Sequence, residues 1–161
     1  MAATHRGTLN ARAVIAGVLT VIPFVFIITT WLLWRDVLPP DLPAQWSGGV
    51  VTTTQPTWFF IGFTAVTALI AGIFGFVAGL TPAADKPPRI TLLVTGLVGS
   101  ASFIIWTVSA NLAAPEGTPP ALADWGSWVV GAVVFAFVPI LLGLKRSALN
   151  RAALAAHAPR A

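Results

Sequence analysis

The side chains that could move a proton or hold a metal ion are few, and they stand outside the apolar parts of the chain. Of 161 residues, two are histidine, five are acidic and none is cysteine. His5 and His157 lie close to the two ends, so neither can act as a general base or metal ligand inside an apolar bundle. Without cysteine there is no thiolate nucleophile, thiolate metal site or disulfide framework. The chain has no His-Glu-x-x-His pair, no nucleophile elbow and no phosphate-cradling glycine loop. What remains is hydrogen bonding. Thr29, Thr30, Thr64, Thr67, Thr107 and Ser109 are hydroxyls within apolar stretches, and Asn111 lies near the end of one. Such hydroxyls ordinarily bond back to a carbonyl one helical turn earlier, and Asn111 is expected to cap its helix. The expectation is a protein that is not an enzyme and uses no cofactor or metal.

The elements that must position these groups are apolar helices. Hydrophobic residues make up 57% of the chain and charged residues only 9%, with a mean hydropathy of +0.86. Soluble domains carry about 25% charged residues, so this chain lacks the polar surface to cover itself in water. Four stretches, Ala13 to Trp34, Trp58 to Leu80, Ile90 to Leu112 and Trp125 to Leu144, contain no Asp, Glu, Lys, Arg or His. Each has about the 20 residues that a helix needs to cross a hydrocarbon core. Their apolar runs are continuous, without the alternation of a barrel strand. The fold expected is all-α: one polytopic membrane domain over residues 1–161, a bundle of four transmembrane helices with a proline-rich outer loop at 35–57. The first stretch is longer than the apolar region of a secretory signal, about 7–15 residues, and is read as an uncleaved span.

Basic residues set the orientation. Arg6, Arg12, Lys86, Arg89, Lys145, Arg146, Arg151 and Arg160 fall on one side of a four-span chain, and Arg35 alone on the other. Both termini and the basic tail 145–161 are therefore expected in the cytoplasm, and the protein in a plasma membrane. This distribution also accounts for the net charge of +4; nucleic-acid binding needs a continuous basic face and is not expected. Trp31, Trp34, Trp46, Trp58, Trp106, Trp125 and Trp128 all fall toward the outer side. Indole rings favour the headgroup level, so they read as anchors, some of which would pack the first outer loop onto the bundle.

Within the spans, Gly72, Gly75 and Gly79 and, in the next span, Gly96 with Ser100 place small residues four apart or nearly so. Small residues let helix backbones approach closely in lipid, and the expected use is packing of the second span against the third. Pro23 and Pro139 lie inside the first and fourth spans and should bend them. The expected partners are membrane lipids, with a membrane protein or a second copy of the chain as candidates.

The first outer loop reads VLPPDLPAQWSGG from Val37 to Gly49. Three nearby prolines restrict the backbone, and Gly48 and Gly49 allow a turn, which suits a small rigid cap. Leu38, Pro39, Leu42, Pro43, Gln45, Trp46 and Gly49, directly after the first span, resemble the extracytoplasmic segment of the SdpI-related bacterial membrane proteins (domain of unknown function 1648). That segment runs Leu-Pro-x-x-Ile-Pro-x-His-(Trp/Phe)-Asn with a following glycine. Gln45 stands where the family has histidine and Ser47 where it has asparagine. Gln45 can exchange hydrogen bonds but cannot titrate, so an imidazole-dependent role does not carry over. The resemblance covers residues from about 13 to 80 and implies a non-enzymatic role in immunity or envelope signalling, exercised through this loop. The alternatives are a small accessory subunit of a larger membrane complex, with the glycine-lined helices as its contact surface, and a small transporter or channel with a hydroxyl-lined path.

Overall fold

A computed structural model describes residues 11–48, 50–80, 89–113 and 125–142, the side chains of Trp46, Arg89 and Trp125 excepted. Five helices and one hairpin follow in the order α1 (Ala11–Leu19), α2 (Ile22–Trp34), β1 (Asp41–Ser47), β2 (Val50–Pro56), α3 (Thr57–Leu80), α4 (Arg89–Ala113) and α5 (Trp125–Ala136). Three helical runs are long and apolar enough to cross a membrane: Ala11–Trp34, Thr57–Leu80 and Ile90–Ala113, each of 24 residues. At 1.5 Å per residue each reaches about 36 Å, more than a hydrocarbon core of about 30 Å. The last apolar stretch is helical too, but Gly126–Leu142 is shorter.

The distribution of residue sizes on α3 shows which solvent the fold is built for. Its buried positions are mostly small: Ala65, Ala68, Ala71, Gly72, Gly75, Ala78 and Gly79. Its large residues face out, with Phe63, Val66, Ile70, Ile73, Phe74 and Val77 all half exposed or more. In water this arrangement would waste the hydrophobic effect, which rewards burial of large apolar groups. In lipid no such reward exists, and close backbone packing between small residues holds helices together instead. The chain is a membrane protein.

The first span is one run broken in the middle. Thr20 N and Val21 N donate to Gly17 O and Val18 O, at 3.2 and 3.0 Å, in the tighter three-residue pattern. Pro23 then opens α2 at one of its first positions, where a missing N–H costs nothing. The bend expected from Pro23 thus takes the form of a break between α1 and α2. Near the other proline, Phe137 N donates to Val134 O at 3.2 Å, again three residues back, and the helix resumes at Val138. Pro139 itself is fully buried.

The all-α expectation needs correction at residues 41–56. The loop there is not irregular; β1 and β2 form an antiparallel hairpin, paired from Asp41↔Pro56 to Ser47↔Val50. The reason lies in residues 50–54, Val-Val-Thr-Thr-Thr, a run of β-branched side chains that suits an extended strand. Gly48 turns the chain with φ 59°, a left-handed conformation that glycine adopts freely. Pro43 sits inside β1, and the register slips on either side of Gln45, the kind of irregularity at which strands tolerate proline.

The main core is at the hairpin end of the bundle. Ile27 and Trp34 of α2, Ile61, Ala65 and Ala68 of α3, Phe103, Trp106 and Ala110 of α4, Ala132 of α5 and Leu42 of β1 form one buried cluster. A smaller cluster of Ala16, Ala78 and Leu92 lies toward the opposite end.

Candidate functional site

The segment singled out in the sequence is built onto the end of α2. Val37 N and Leu38 N both donate to Trp34 O at 3.0 Å, closing the helix with a turn. Leu38 then packs against the main core. Pro39 and Pro40 present their carbonyls to the first residue of α3: Thr57 Oγ1 donates to Pro39 O at 2.6 Å and Thr57 N to Pro40 O at 2.8 Å. One threonine therefore clips the base of the hairpin where its two strands meet the helices.

Leu42 is the anchor. It is 0% exposed and belongs to the core that contains Trp34, Ile61, Trp106 and Ala110. Pro43 beside it is also buried. Gln45 is exposed, and its Oε1 accepts a hydrogen bond from Thr53 Oγ1 on the opposite strand at 3.2 Å. The backbone of Trp46 pairs with Val51, and Gly49 lies outside the described residues. The motif thus divides by function: Leu38, Leu42 and Pro43 fasten the cap, while Gln45 is displayed. Among the described residues no group of three or more His, Cys, Asp or Glu comes together.

The tryptophans divide in the same way. Trp34 and Trp106 are buried, at 7% and 0% exposure, in the cluster that receives Leu42. They are the floor beneath the hairpin. Trp106 is held further by Nε1, which donates to Thr30 Oγ1 at 2.9 Å. Trp58 is 73% exposed at the start of α3, continuing edge-on to Phe59 in the manner of an interface anchor. The ring of Trp128 packs near Phe26 with centroids 6.3 Å apart. No protein-family model matches this chain, and no curated protein or solved structure matches it either.

Gly72, Gly75 and Gly79, expected to serve the packing of α3 on α4, have the first span as their nearest neighbour, while α3 and α4 pack on each other as well. A Cβ on Gly72 would lie 3.2 Å from Val21 Cα, one on Gly75 would lie 2.6 Å from Thr20 Cβ, and one on Gly79 would strike the Ala13 carbonyl and sit 2.9 Å from Gly17 Cα. Gly17 is reciprocal, since its own Cβ would come within 3.1 Å of Phe76 Cα. The crossing is fixed by Thr20, whose Oγ1 bonds Gly17 O at 2.6 Å and Gly72 O at 3.2 Å. The partner differs from expectation because the break at Thr20–Val21 brings the α1 backbone, with its own Gly17, flat against α3. Gly96 likewise faces α5: a Cβ there would strike the Ala136 carbonyl.

Ser100, one turn beyond Gly96, is 3% exposed and lies under a groove of about 540 Å³ between α2, α4 and α5. Ile22, Pro23, Phe26, Phe103 and Trp128 are among the lining residues. The hydroxyls of Ser100 and Thr107 have no hydrogen-bond partner among the described residues. Most others follow the ordinary pattern: Thr30, Thr64, Thr67, Thr95 and Ser102 donate to carbonyls three or four residues earlier. Asn111 does not cap α4 from beyond its end. It sits inside the helix, with Nδ2 donating to Thr107 O at 2.7 Å.

Thr57, Thr20 and the Trp106–Thr30 pair were not distinguished in the sequence. Thr57 carries a readable signal, a hydroxyl at the boundary between a β-branched run and an apolar helix. The other two have none, because each depends on a contact across more than 50 residues.

Proposed function

We propose that this chain is a non-enzymatic bacterial plasma-membrane protein of four spans, with both termini in the cytoplasm and the β1–β2 hairpin outside. It acts through that hairpin in envelope sensing or in resistance to a membrane-active agent, as its resemblance to the SdpI-related proteins implies. The observation that carries this reading is the division of labour in the hairpin. Leu42 is sunk without exposure into the helix ends while Gln45 faces outward, so the segment is a fixed platform for displayed groups. A connection with no role beyond joining helices needs neither a buried anchor nor a clip such as Thr57.

The orientation rests on the eight basic residues that share one side and the lone Arg35 on the other. The accessory-subunit reading is less well supported, since Gly72, Gly75 and Gly79 are filled by the chain's own first span. A hydroxyl-lined path is less well supported too, since most span hydroxyls are bonded to their own helices.

Two measurements test the reading. The chain has no cysteine, so Gln45→Cys is a unique label: a membrane-impermeant maleimide should modify it in intact cells, whereas Ala148→Cys in the tail should react only after lysis. The opposite pattern would overturn the topology. Combined Gln45→Ala and Trp46→Ala substitution should abolish the protein's effect on survival under envelope stress while leaving its membrane level unchanged. Full activity of that variant would remove the hairpin from the function.

A further inference from the structure

The groove between α2, α4 and α5 has a volume of about 540 Å³, within the range of small-molecule sites. Four aromatic rings line it, those of Phe26, Phe103, Trp128 and Phe135, and none of the described residues in its walls is ionisable. Phe26 stands 6.0 Å from Phe103 and 6.3 Å from Trp128, inclined to them by 70° and 59°, so it stacks face to face on neither. On the α5 side a Cβ added to Gly131 would meet nothing within 4 Å. The space is open there. Ser100, in the wall formed by α4, is the twelfth of that helix's 25 residues. It therefore lies about 17 Å from one end and about 20 Å from the other, near the middle of a hydrocarbon core of about 30 Å. Ser100 is 3% exposed, and its hydroxyl has no partner among the described residues. Ser102, two residues on, shows the usual arrangement in donating to Val98 O at 2.9 Å. A hydroxyl without a partner at this depth is costly.

We infer that this groove binds a neutral, lipid-soluble quinone, whose ring lies among the aromatic side chains and one of whose carbonyls accepts a hydrogen bond from Ser100 Oγ. Three features select that chemistry. With no charged side chain in its described walls, the groove gives no counterion to an ionic group, which is costly to place at this depth. The depth of Ser100 also rules out the ester and phosphate oxygens of a phospholipid, which stay at the headgroup level, about 15 Å from the middle of the core. The aromatic walls suit a flat ring, which they can meet edge-on or by offset stacking. A quinone is uncharged, travels within the bilayer, is flat, and carries a carbonyl acceptor on the ring itself. The Ser100 hydroxyl turns on a single torsion, which lets it reach an acceptor lodged against it. The site is independent of the hairpin and of the function proposed for it.

Titration of the full chain in mild detergent with decylbenzoquinone tests the site. Quenching of tryptophan fluorescence should saturate, with Trp128 in the wall of the groove as a reporter. Ser100→Ala should weaken the affinity about three- to tenfold, the effect of one hydrogen bond. Its resistance to unfolding should be unchanged or higher, because the hydroxyl it removes is unpaired. In the infrared, one carbonyl stretch of the bound quinone should fall below its frequency in detergent alone and return to it in Ser100→Ala. Gly131→Leu, which enters the open space beside α5, should weaken binding at least tenfold. Decylbenzene, which has no carbonyl, should compete at least tenfold less well than unlabelled quinone. Quenching that never saturates, competition by decylbenzene equal to that of the quinone, or an affinity indifferent to Ser100→Ala or to Gly131→Leu would overturn the inference.

Discussion

Trp106 and Thr30 meet through a hydrogen bond of 2.9 Å from the indole N–H to the hydroxyl, joining α4 to α2 beneath the hairpin. Thr30 Oγ1 is within bonding distance of two acceptors in its own helix, Phe26 O at 2.7 Å and Ile27 O at 3.1 Å. Its oxygen therefore gives its proton backward and accepts one from across the bundle. Hydrogen bonds between membrane helices are worth about 0.6 kcal/mol on average and up to about 1.7, and this one is made by a ring with no exposure.

Thr30→Val should accordingly destabilise the protein by about 1 kcal/mol, since the shape is kept and only the indole N–H loses its partner. Trp106→Ala should cost about 3–5 kcal/mol, the range for removing a buried aromatic side chain. Reversible unfolding in mixed micelles with increasing dodecyl sulfate would separate the two. Equal effects would mean that the hydrogen bond, rather than the ring, dominates.

Substitutions at glycine should depend on what each faces. Gly79→Ala puts a methyl group against the Ala13 carbonyl and Gly17 Cα, backbone atoms that cannot rotate away, and should cost about 1–3 kcal/mol or more. Gly62→Ala and Gly131→Ala meet nothing within 4 Å and should be neutral or stabilise by up to about 1 kcal/mol, the helix preference for alanine. The same unfolding assay applies, and a destabilised Gly62→Ala would contradict the packing described.

Thr20→Val removes the bonds to Gly17 O and Gly72 O at nearly constant volume. A loss of about 0.6–1.7 kcal/mol is expected. Thr67→Val, whose hydroxyl serves only its own helix on an exposed face, should change stability by less than about 0.5 kcal/mol.

Thr57→Val should loosen the hairpin base without unfolding the helices, because the Pro39 carbonyl loses its donor. Leu42→Ala should release the whole cap, at a cost of about 2–5 kcal/mol to its docking. Both would appear as faster proteolysis and faster amide exchange confined to residues 41–56, with Leu42→Ala the larger effect. Uniform protection in both variants would show that the cap is held by something other than these contacts.

Much of this architecture could be read from residue order alone. The apolar stretches are long, continuous and free of charge, and hydrocarbon selects helices for such segments because every backbone group must find its partner internally. Their limits were legible because prolines and charged residues crowd between them. The hairpin is less legible: Pro39, Pro40 and Pro43 point to a rigid connecting loop, whereas the β-branched run from Val50 to Thr54 favours a strand.

Tertiary structure alone decided which faces meet. Gly72, Gly75 and Gly79 announce that some backbone comes close, yet small residues carry no information about whose backbone it is. That answer came from the break at Thr20–Val21 and from Gly17. Likewise Trp34 and Trp106 look from their positions like interface anchors, and only the arrival of Leu42 over them makes them core. In lipid the sequence states which residues may be buried, because charge is excluded and small residues are marked. The choice of partner follows from shape, which emerges only when the helices pack.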